Sequence, residues 1–174
     1  GMSPSNLYRF FDNKEALLEA VAERFFAEKI RIMVEVTESD LPVRDKMYQY
    51  FARRYLASVE QFEAEPDLLK SYLEIGQQHF EVVRGYVDLG DHYLAIIVAE
   101  AMEQGYFEGL SIDEAVSFIN QMLHCYTNPD MLFYIGTTKL SVTKLAMVVD
   151  TVFQGLGKKM ATQSAPGSHM KIVS

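Results

Sequence analysis

The feature that most constrains the fold of this chain is the spacing of its apolar residues, which recur every three or four positions almost throughout. Two stripes in the second half are the clearest. The first consists of Ile112, Ala115, Val116, Ile119, Met122, Leu123 and Tyr126, and the second of Val142, Leu145, Ala146, Val149, Val152, Phe153 and Leu156. Such spacing places apolar side chains on one face of an α-helix, and no run of strict alternation indicates a strand. The pattern therefore predicts an all-α fold.

Proline, glycine and capping residues divide this pattern into separate helices. The predicted helices run from Ser3 to about Phe11, from Lys14 to about Glu38, from Pro42 to about Glu63, from Pro66 to a break near Gly76–His79, from there to Gly105 and Gly109, from Ser111 through Tyr126, and from about Ser141 onward. Ser111 and Glu114 have the spacing of a capping box. Asn128-Pro129 is expected to bend or break the helix that this box begins.

The composition narrows the class of protein. Of 174 residues, 49% are hydrophobic and 23% are charged, which is typical of a globular chain rather than a disordered one. No apolar run approaches the roughly 20 residues that a membrane span needs. The single cysteine, Cys125, cannot form an internal disulfide, and a reducing compartment is the simplest interpretation. We therefore expect a cytoplasmic protein with no membrane partner.

The net charge of −8 taken alone disfavours binding to nucleic acid. The charge is unevenly distributed, however, because basic and acidic residues balance within residues 1–31. The basic residues there are Arg9, Lys14, Arg24, Lys29 and Arg31, and the acidic ones are Asp12, Glu15, Glu19, Glu23 and Glu28. A neutral first segment on an acidic body can still bind DNA through that segment.

The most informative stretch is the first 21 residues, GMSPSNLYRFFDNKEALLEAV. It contains a glycine turn at Gly1-Met2, a short helix that carries Tyr-x-x-Phe at residues 8–11, a polar break at Asp12-Asn13, and Lys-Glu-x-Leu at residues 14–17. This order resembles the end of the DNA-binding domain in tetracycline-repressor-like (TetR) transcriptional regulators. The resemblance implies that residues 3–11 form the recognition helix of a helix-turn-helix, which enters the major groove of DNA.

The resemblance also implies which residues contact DNA. Ser3, Ser5 and Asn6 are polar and short enough to reach base edges, and asparagine can pair with adenine. Tyr8 and Lys14 occupy positions that in this family often touch phosphates or bases. Arg9 is open to two interpretations, a phosphate contact or a solvated surface residue. The family needs two further helices before this one, so we expect specific DNA binding only from the complete protein.

We expect two domains on this basis. Residues 1–38 would be the remainder of the DNA-binding domain with its connecting helix, and residues 39–160 the ligand-binding and dimerisation domain. Residues 161–174 are predicted to form a disordered tail, in which residues 167–170 spell Gly-Ser-His-Met, a sequence that expression vectors leave before a protein. Residues 167–174 are therefore either vector-derived or misplaced N-terminal residues, or a native tail.

Aromatic and amphipathic residues of the second domain are candidates for a ligand pocket, with ordinary core packing as the alternative. They are Phe51, Tyr55, Tyr72, Phe80, Tyr93, Met122, His124 and Tyr126. The two apolar stripes predict a homodimer interface, with a buried helix pair as the alternative. Its candidate residues are Ile112, Val116, Ile119, Leu123, Leu145, Val149, Val152, Phe153 and Leu156.

Catalytic and metal-binding motifs are weak by comparison. Asp88 and His92 are four residues apart on a predicted helix, but no second pair has such spacing. We find no nucleophile elbow and no phosphate-binding glycine loop. We expect no enzyme activity, metal or cofactor. The sequence thus predicts a transcriptional regulator. The resemblance implies the commonest role in the family, that of a repressor, which a small and largely apolar molecule releases from a palindromic operator in double-stranded DNA. The alternative is a helical ligand-binding or adaptor protein without a DNA-binding role.

Overall fold

The computed structural model describes residues 14–156, and this part of the chain contains eight α-helices and no strand. The prediction of an all-α fold is confirmed. The helices are α1 (Lys14–Glu38), α2 (Val43–Ala64), α3 (Pro66–Gln78), α4 (Phe80–Glu103), α5 (Ile112–Met122), α6 (His124–Thr127), α7 (Asp130–Tyr134) and α8 (Val142–Gly155). No helix within the described range is long and apolar enough to cross a membrane.

Local capping interactions explain where several helices begin and end. The Ser111 side chain accepts a hydrogen bond from the Glu114 amide, and the Glu114 carboxylate accepts one from the Ser111 amide, so the predicted capping box is present at the start of α5. The Ser141 side chain accepts from the Lys144 amide and begins α8 in the same way. Gly105 has a φ of +85° just after α4, a conformation that glycine adopts at little cost.

The segment after Ser111 differs from its prediction as one helix through Tyr126. α5 ends at Met122, and the short helix α6 begins at His124. Between them the backbone makes a tighter turn than an α-helix does, because the Tyr126 amide donates to the Leu123 carbonyl only three residues back, at 2.9 Å. This change of direction brings the Tyr126 hydroxyl to the Ser141 carbonyl, 3.1 Å away, before α8. A tertiary contact therefore accompanies a break that the apolar spacing does not reveal.

The main hydrophobic core lies among α1, α2, α4, α5 and α8. α8 packs against α2, α5 packs against α4, and α1 packs against both α2 and α4. The side chains that have no exposed surface in this core include Met33, Met47, Leu94, Ile97, Val98, Ala101, Ile119, Leu123, Leu145 and Val152. The first half of α1 packs separately on α3 through two smaller clusters.

Eight of the nine residues predicted to form the dimer interface lie within this core. They are Val116, Ile119, Leu123, Leu145, Val149, Val152, Phe153 and Leu156. Only Ile112 is exposed, with 38% of its surface accessible. The apolar stripes of α5 and α8 are buried because α4 and α2 of the same chain cover them. Their burial within the chain fits the core helix pair that the sequence left open as the alternative to a dimer interface.

Candidate ligand-binding cavity

A cavity of about 990 Å³ lies between the first half of α1, α3 and the first half of α4. Residues of α2, α5, α6 and α7 complete its lining. This volume is at the upper end of the range typical of small-molecule sites, roughly 300–1,000 Å³. It is also far larger than the voids that a packed protein interior tolerates. The cavity is therefore the candidate functional site.

Aromatic rings form much of the wall. On α1, Phe25 and Phe26 both line the cavity. The Phe26 ring stacks on the Tyr86 ring of α4, with centroids 4.2 Å apart and planes at 13°. The Phe25 ring meets the Tyr72 ring of α3 edge to face at 6.1 Å. These contacts join α1 to α3 and α4 around the cavity, so the apolar surface that a ligand would meet belongs to three helices at once.

A half-buried arginine, Arg54, also lines the cavity. The Arg54 Nε and Nη2 atoms of α2 both donate hydrogen bonds to the Tyr86 hydroxyl oxygen, at 3.3 and 3.0 Å. The guanidinium lies over the Tyr50 ring, 4.7 Å from its centroid, in a cation–π arrangement. The Tyr50 hydroxyl donates to the Gly90 carbonyl at 2.7 Å, and burial raises the pKa of Tyr50 to about 12. Tyr50 therefore stays neutral beside the arginine.

A second cation, Lys29, extends from α1 and has only 3% of its surface exposed. Its ammonium donates to the Phe25 carbonyl at 3.1 Å and to the Gln61 Oε1 atom at 2.8 Å. It also lies 4.1 Å from the centroid of the Phe25 ring. Burial lowers the pKa of Lys29 to about 7, and the neighbouring charge of Arg54 contributes to that decrease. The two cations are thus close enough to repel each other.

Of the four carboxylates that the described residues contribute to the lining, three lie toward solvent and the fourth, Asp130, is half-buried. Asp88, Asp91 and Asp113 are exposed, and Asp91 accepts a hydrogen bond from the Asn120 amide at 2.7 Å. Within residues 14–156, neither Lys29 nor Arg54 forms an ion pair with a carboxylate. The cavity therefore combines buried positive charge with exposed negative charge.

Three of the predicted pocket residues, Tyr72, Phe80 and His124, line this cavity. The other five lie elsewhere. Phe51 is buried in the main core and Tyr93 packs against it, while Met122 is exposed on α5. Tyr55 and Tyr126 meet edge to face at 5.2 Å, and their hydroxyls donate to the Leu140 and Ser141 carbonyls. These two tyrosines thus hold the start of α8.

Lys29, Arg54 and Tyr86 were not among the pocket residues predicted from the sequence. A signal for Lys29 was present, since it lies four residues after Phe25 on the apolar face of α1. Arg54 likewise lies three residues after Phe51, beside the inner face of α2. A cation on the apolar face of a helix indicates either a buried charge or a wall that borders a cavity, and here both hold.

Asp88 and His92, the pair whose spacing was noted in the sequence, lie on the exposed part of the cavity lining. Within the described range, no group of three or more histidine, cysteine, aspartate or glutamate side chains could hold a metal ion. The predicted DNA contacts Ser3, Ser5, Asn6, Tyr8 and Arg9 lie outside the described residues, as do the recognition helix and the predicted tail. Lys14 is the first residue of α1.

Comparison with known families identifies a match that covers more than half of the chain. The family described as tetracyclin repressor-like, C-terminal domain, matches residues 43–149. The matched range begins with α2 and ends within α8, so it includes every cavity wall except α1. A comparison with curated proteins gives no significant match.

Proposed function

The chain belongs to the tetracyclin repressor-like family, and from that premise we propose that it is a ligand-responsive transcriptional regulator that binds double-stranded DNA. The observation that carries the proposal is the position of the cavity against α1. This helix follows directly after the predicted recognition helix at residues 3–11 and supplies Leu18, Val21 and Phe25 to the cavity lining. A molecule that enters the cavity would therefore contact the helix that leads to the predicted DNA-binding segment.

The two ends of α1 differ in how they are held. Toward its C-terminal end, Ile32, Met33 and Val36 are buried in the main core. Toward its N-terminal end, Leu18 and Val21 face the cavity and pack on α3. A ligand can displace the first half of α1 at lower cost than the second half, because only the second half is fixed in the core. We propose that this displacement changes the position of the recognition helix.

We further propose that the protein acts as a homodimer. Two recognition helices would then be spaced by about one turn of duplex, roughly 34–36 Å, and would read a palindromic operator. The core residues of α5 and α8 are covered within the chain, so the proposed surface consists of the apolar side chains that these two helices leave exposed. These are Ile112, Phe118, Met122 and Met147.

The proposed direction of regulation is repression that ligand relieves. A ligand bound in each subunit favours a state in which the two recognition helices no longer match the operator. By linkage, the factor by which ligand weakens DNA binding equals the factor by which DNA weakens ligand binding. The proposed role is therefore regulation in place of catalysis.

The test is selection of binding sites from a random duplex library by the protein that the complete gene encodes, at two salt concentrations because affinity for DNA depends strongly on salt. We expect enrichment of a palindrome whose half-sites are about one helical turn apart. Selected DNA then becomes the probe for release by candidate ligands. No enrichment from a folded dimer would contradict the proposal and favour a ligand-binding or adaptor protein without a DNA-binding role.

A further inference from the structure

We propose that the cavity binds an amphipathic carboxylate, with its charged group at Arg54, Lys29 and Tyr86 and its apolar part along the aromatic wall that includes Phe26 and Tyr72. The inference deepens the proposed function and rests on it, because it takes the cavity as the effector site. It replaces the sequence-based expectation of a largely apolar effector with one that carries a negative charge at one end.

The first argument is an excess of hydrogen-bond donors. A guanidinium has five N–H groups, and Arg54 directs two of them at the Tyr86 oxygen. Because that oxygen accepts from Arg54, the Tyr86 hydroxyl proton is free to donate, and the described residues show no acceptor for it. An ionised carboxylate accepts hydrogen bonds and donates none. It therefore complements a wall whose unused groups are donors.

The second argument is that, among the described residues, neither the buried Lys29 nor the half-buried Arg54 forms an ion pair with a carboxylate. The described part of the chain has two buried lysines, Lys46 and Lys29. The Lys46 ammonium lies 2.7 Å from the Glu100 carboxylate, whereas Lys29 has only neutral acceptors and lies near a second cation, Arg54. Buried charges without an opposite charge are costly in a low-dielectric interior. An anion in the cavity would offset the repulsion between Lys29 and Arg54.

The third argument concerns size and shape. A cavity of about 990 Å³ is far larger than an inorganic anion needs, and its inner walls carry the Phe26–Tyr86 stack and the Phe25–Tyr72 contact. Burial of apolar ligand surface against such rings stabilises binding. The ligand that fits both observations has one acidic group and an extended apolar part.

The exposed aspartates suggest a competing ligand class. Asp88, Asp91 and Asp113 could attract a cation to the solvent-facing part of the cavity. Their charges are screened by water, whereas those of Lys29 and Arg54 act in a less polar interior where the same charge has a larger effect. We therefore favour the anion, and the cation becomes one arm of the test.

The experiment compares three probes of equal chain length by isothermal titration calorimetry on the full chain, below their micelle concentrations: decanoate, decan-1-ol and decyltrimethylammonium. We expect decanoate to bind about tenfold tighter than decan-1-ol or more, as charge-assisted hydrogen bonds allow, and the cation to bind most weakly. Arg54→Met should remove this preference by weakening the binding of decanoate at least tenfold more than the binding of decan-1-ol. Arg53→Met is the matched control, because Arg53 pairs with Glu35 outside the cavity.

Tyr86→Phe provides a second variant in case Arg54→Met fails to fold, and it should reduce only the affinity for decanoate. Equal binding of decanoate and decan-1-ol, tightest binding of the cation, or no binding of any probe would each overturn the inference. Failure of the proposed function looks different. If the protein prefers decanoate in an Arg54-dependent way but selects no DNA sequence, the regulatory role is contradicted and the ligand class stands. If the protein selects a DNA sequence but does not prefer decanoate, only the ligand class is contradicted.

Discussion

The region around α8 and the region around α1 and α3 use similar residues with different results. Around α8, the apolar stripes of the core helices meet and leave side chains such as Ile97 and Leu145 with no exposed surface. Around α1 and α3, equally apolar stripes surround a cavity of about 990 Å³. The buried lysine of the first region, Lys46, pairs with Glu100, whereas Lys29 of the second has no carboxylate partner within the described range. The first region stabilises the fold, and the second is available to a ligand.

The contrast is tested most strongly by removing one side chain from each region. Ile97→Ala should lower the free energy of unfolding by about 2–5 kcal/mol, because Ile97 is fully buried and the void that it leaves cannot collapse. Val87→Ala, on the same helix but 46% exposed beside the cavity, should cost less than about 1 kcal/mol. Urea unfolding measures both, and equal losses would mean that the two regions are packed alike.

A second test uses the buried lysines. Burial lowers the pKa of Lys29 to about 7 from its usual value near 10.5. Between these two values the unfolded lysine holds a proton that the folded one has lost, so stability should rise with pH, at most by about 1.4 kcal/mol per unit. Below pH 7 the penalty of the charged lysine is fully present. Lys29→Met should therefore stabilise the fold most at or below pH 7 and flatten the rise between pH 7 and 10.

Lys46→Met is the matched comparison for that substitution. Lys46 pairs with Glu100 at 2.7 Å, so its loss leaves a half-buried carboxylate unpaired and should destabilise the protein near pH 7. The measurement is the free energy of unfolding of wild type and both variants across pH 6 to 10. Opposite signs for the two variants near pH 7 are expected. Destabilisation by both would show that Lys29 is as well compensated as Lys46.

A third and smaller test concerns two tyrosine hydroxyls. The Tyr55 hydroxyl is buried and donates to the Leu140 carbonyl at 2.5 Å, so Tyr55→Phe should cost about 1–2 kcal/mol of stability. Among the residues that the structure describes, the Tyr86 hydroxyl accepts hydrogen bonds from Arg54 alone, beside the cavity, and Tyr86→Phe should cost less than about 1 kcal/mol. Thermal unfolding with calorimetric enthalpies gives both values. A larger loss for Tyr86→Phe would place that hydroxyl among the groups that hold the fold.

The smallest expected effect comes from a helix cap distant from the cavity lining. Ser141→Ala removes the hydrogen bond from the Lys144 amide at the start of α8, which should lower stability by about 1 kcal/mol. No residue of α8 lines the cavity, so the affinity for decanoate should not change. Calorimetric titration of this variant checks that the two regions are energetically separate, and an altered affinity would show that they are coupled.

Local signals made much of the fold predictable from the sequence. The capping box of Ser111 and Glu114 places the start of α5, and Gly105 follows directly on the end of α4. Such signals act within a few residues, so they do not depend on the rest of the chain. The break at Leu123 was not predictable in this way, because it accompanies the tertiary bond between Tyr126 and Ser141.

The site was less predictable than the helices. An apolar stripe identifies the face that is buried, but it does not reveal whether the facing helices fill the space. Phe51 and Tyr72 therefore looked equivalent in sequence, although the first is in the core and the second lines the cavity. The same limit applied to the predicted dimer residues such as Leu145, which α2 covers within the chain. Lys29 was an exception to this limit. A cation on the apolar face of a helix is not explained by core packing, so its position in the sequence could have indicated a buried charge or a cavity wall.

The two halves of α4 contribute to different regions of the molecule, and this has a consequence for how the protein can evolve. The second half of the helix, including Leu94 and Ile97, anchors the fold, while its first half presents Phe80, Val83 and Val87 to the cavity. Mutations in the first half can alter what is recognised while most of the stability is retained, since the costly positions lie elsewhere. Selection for a new effector can thus act on a few side chains of one helix, and a library randomised at those positions is the natural starting point for a reprogrammed biosensor.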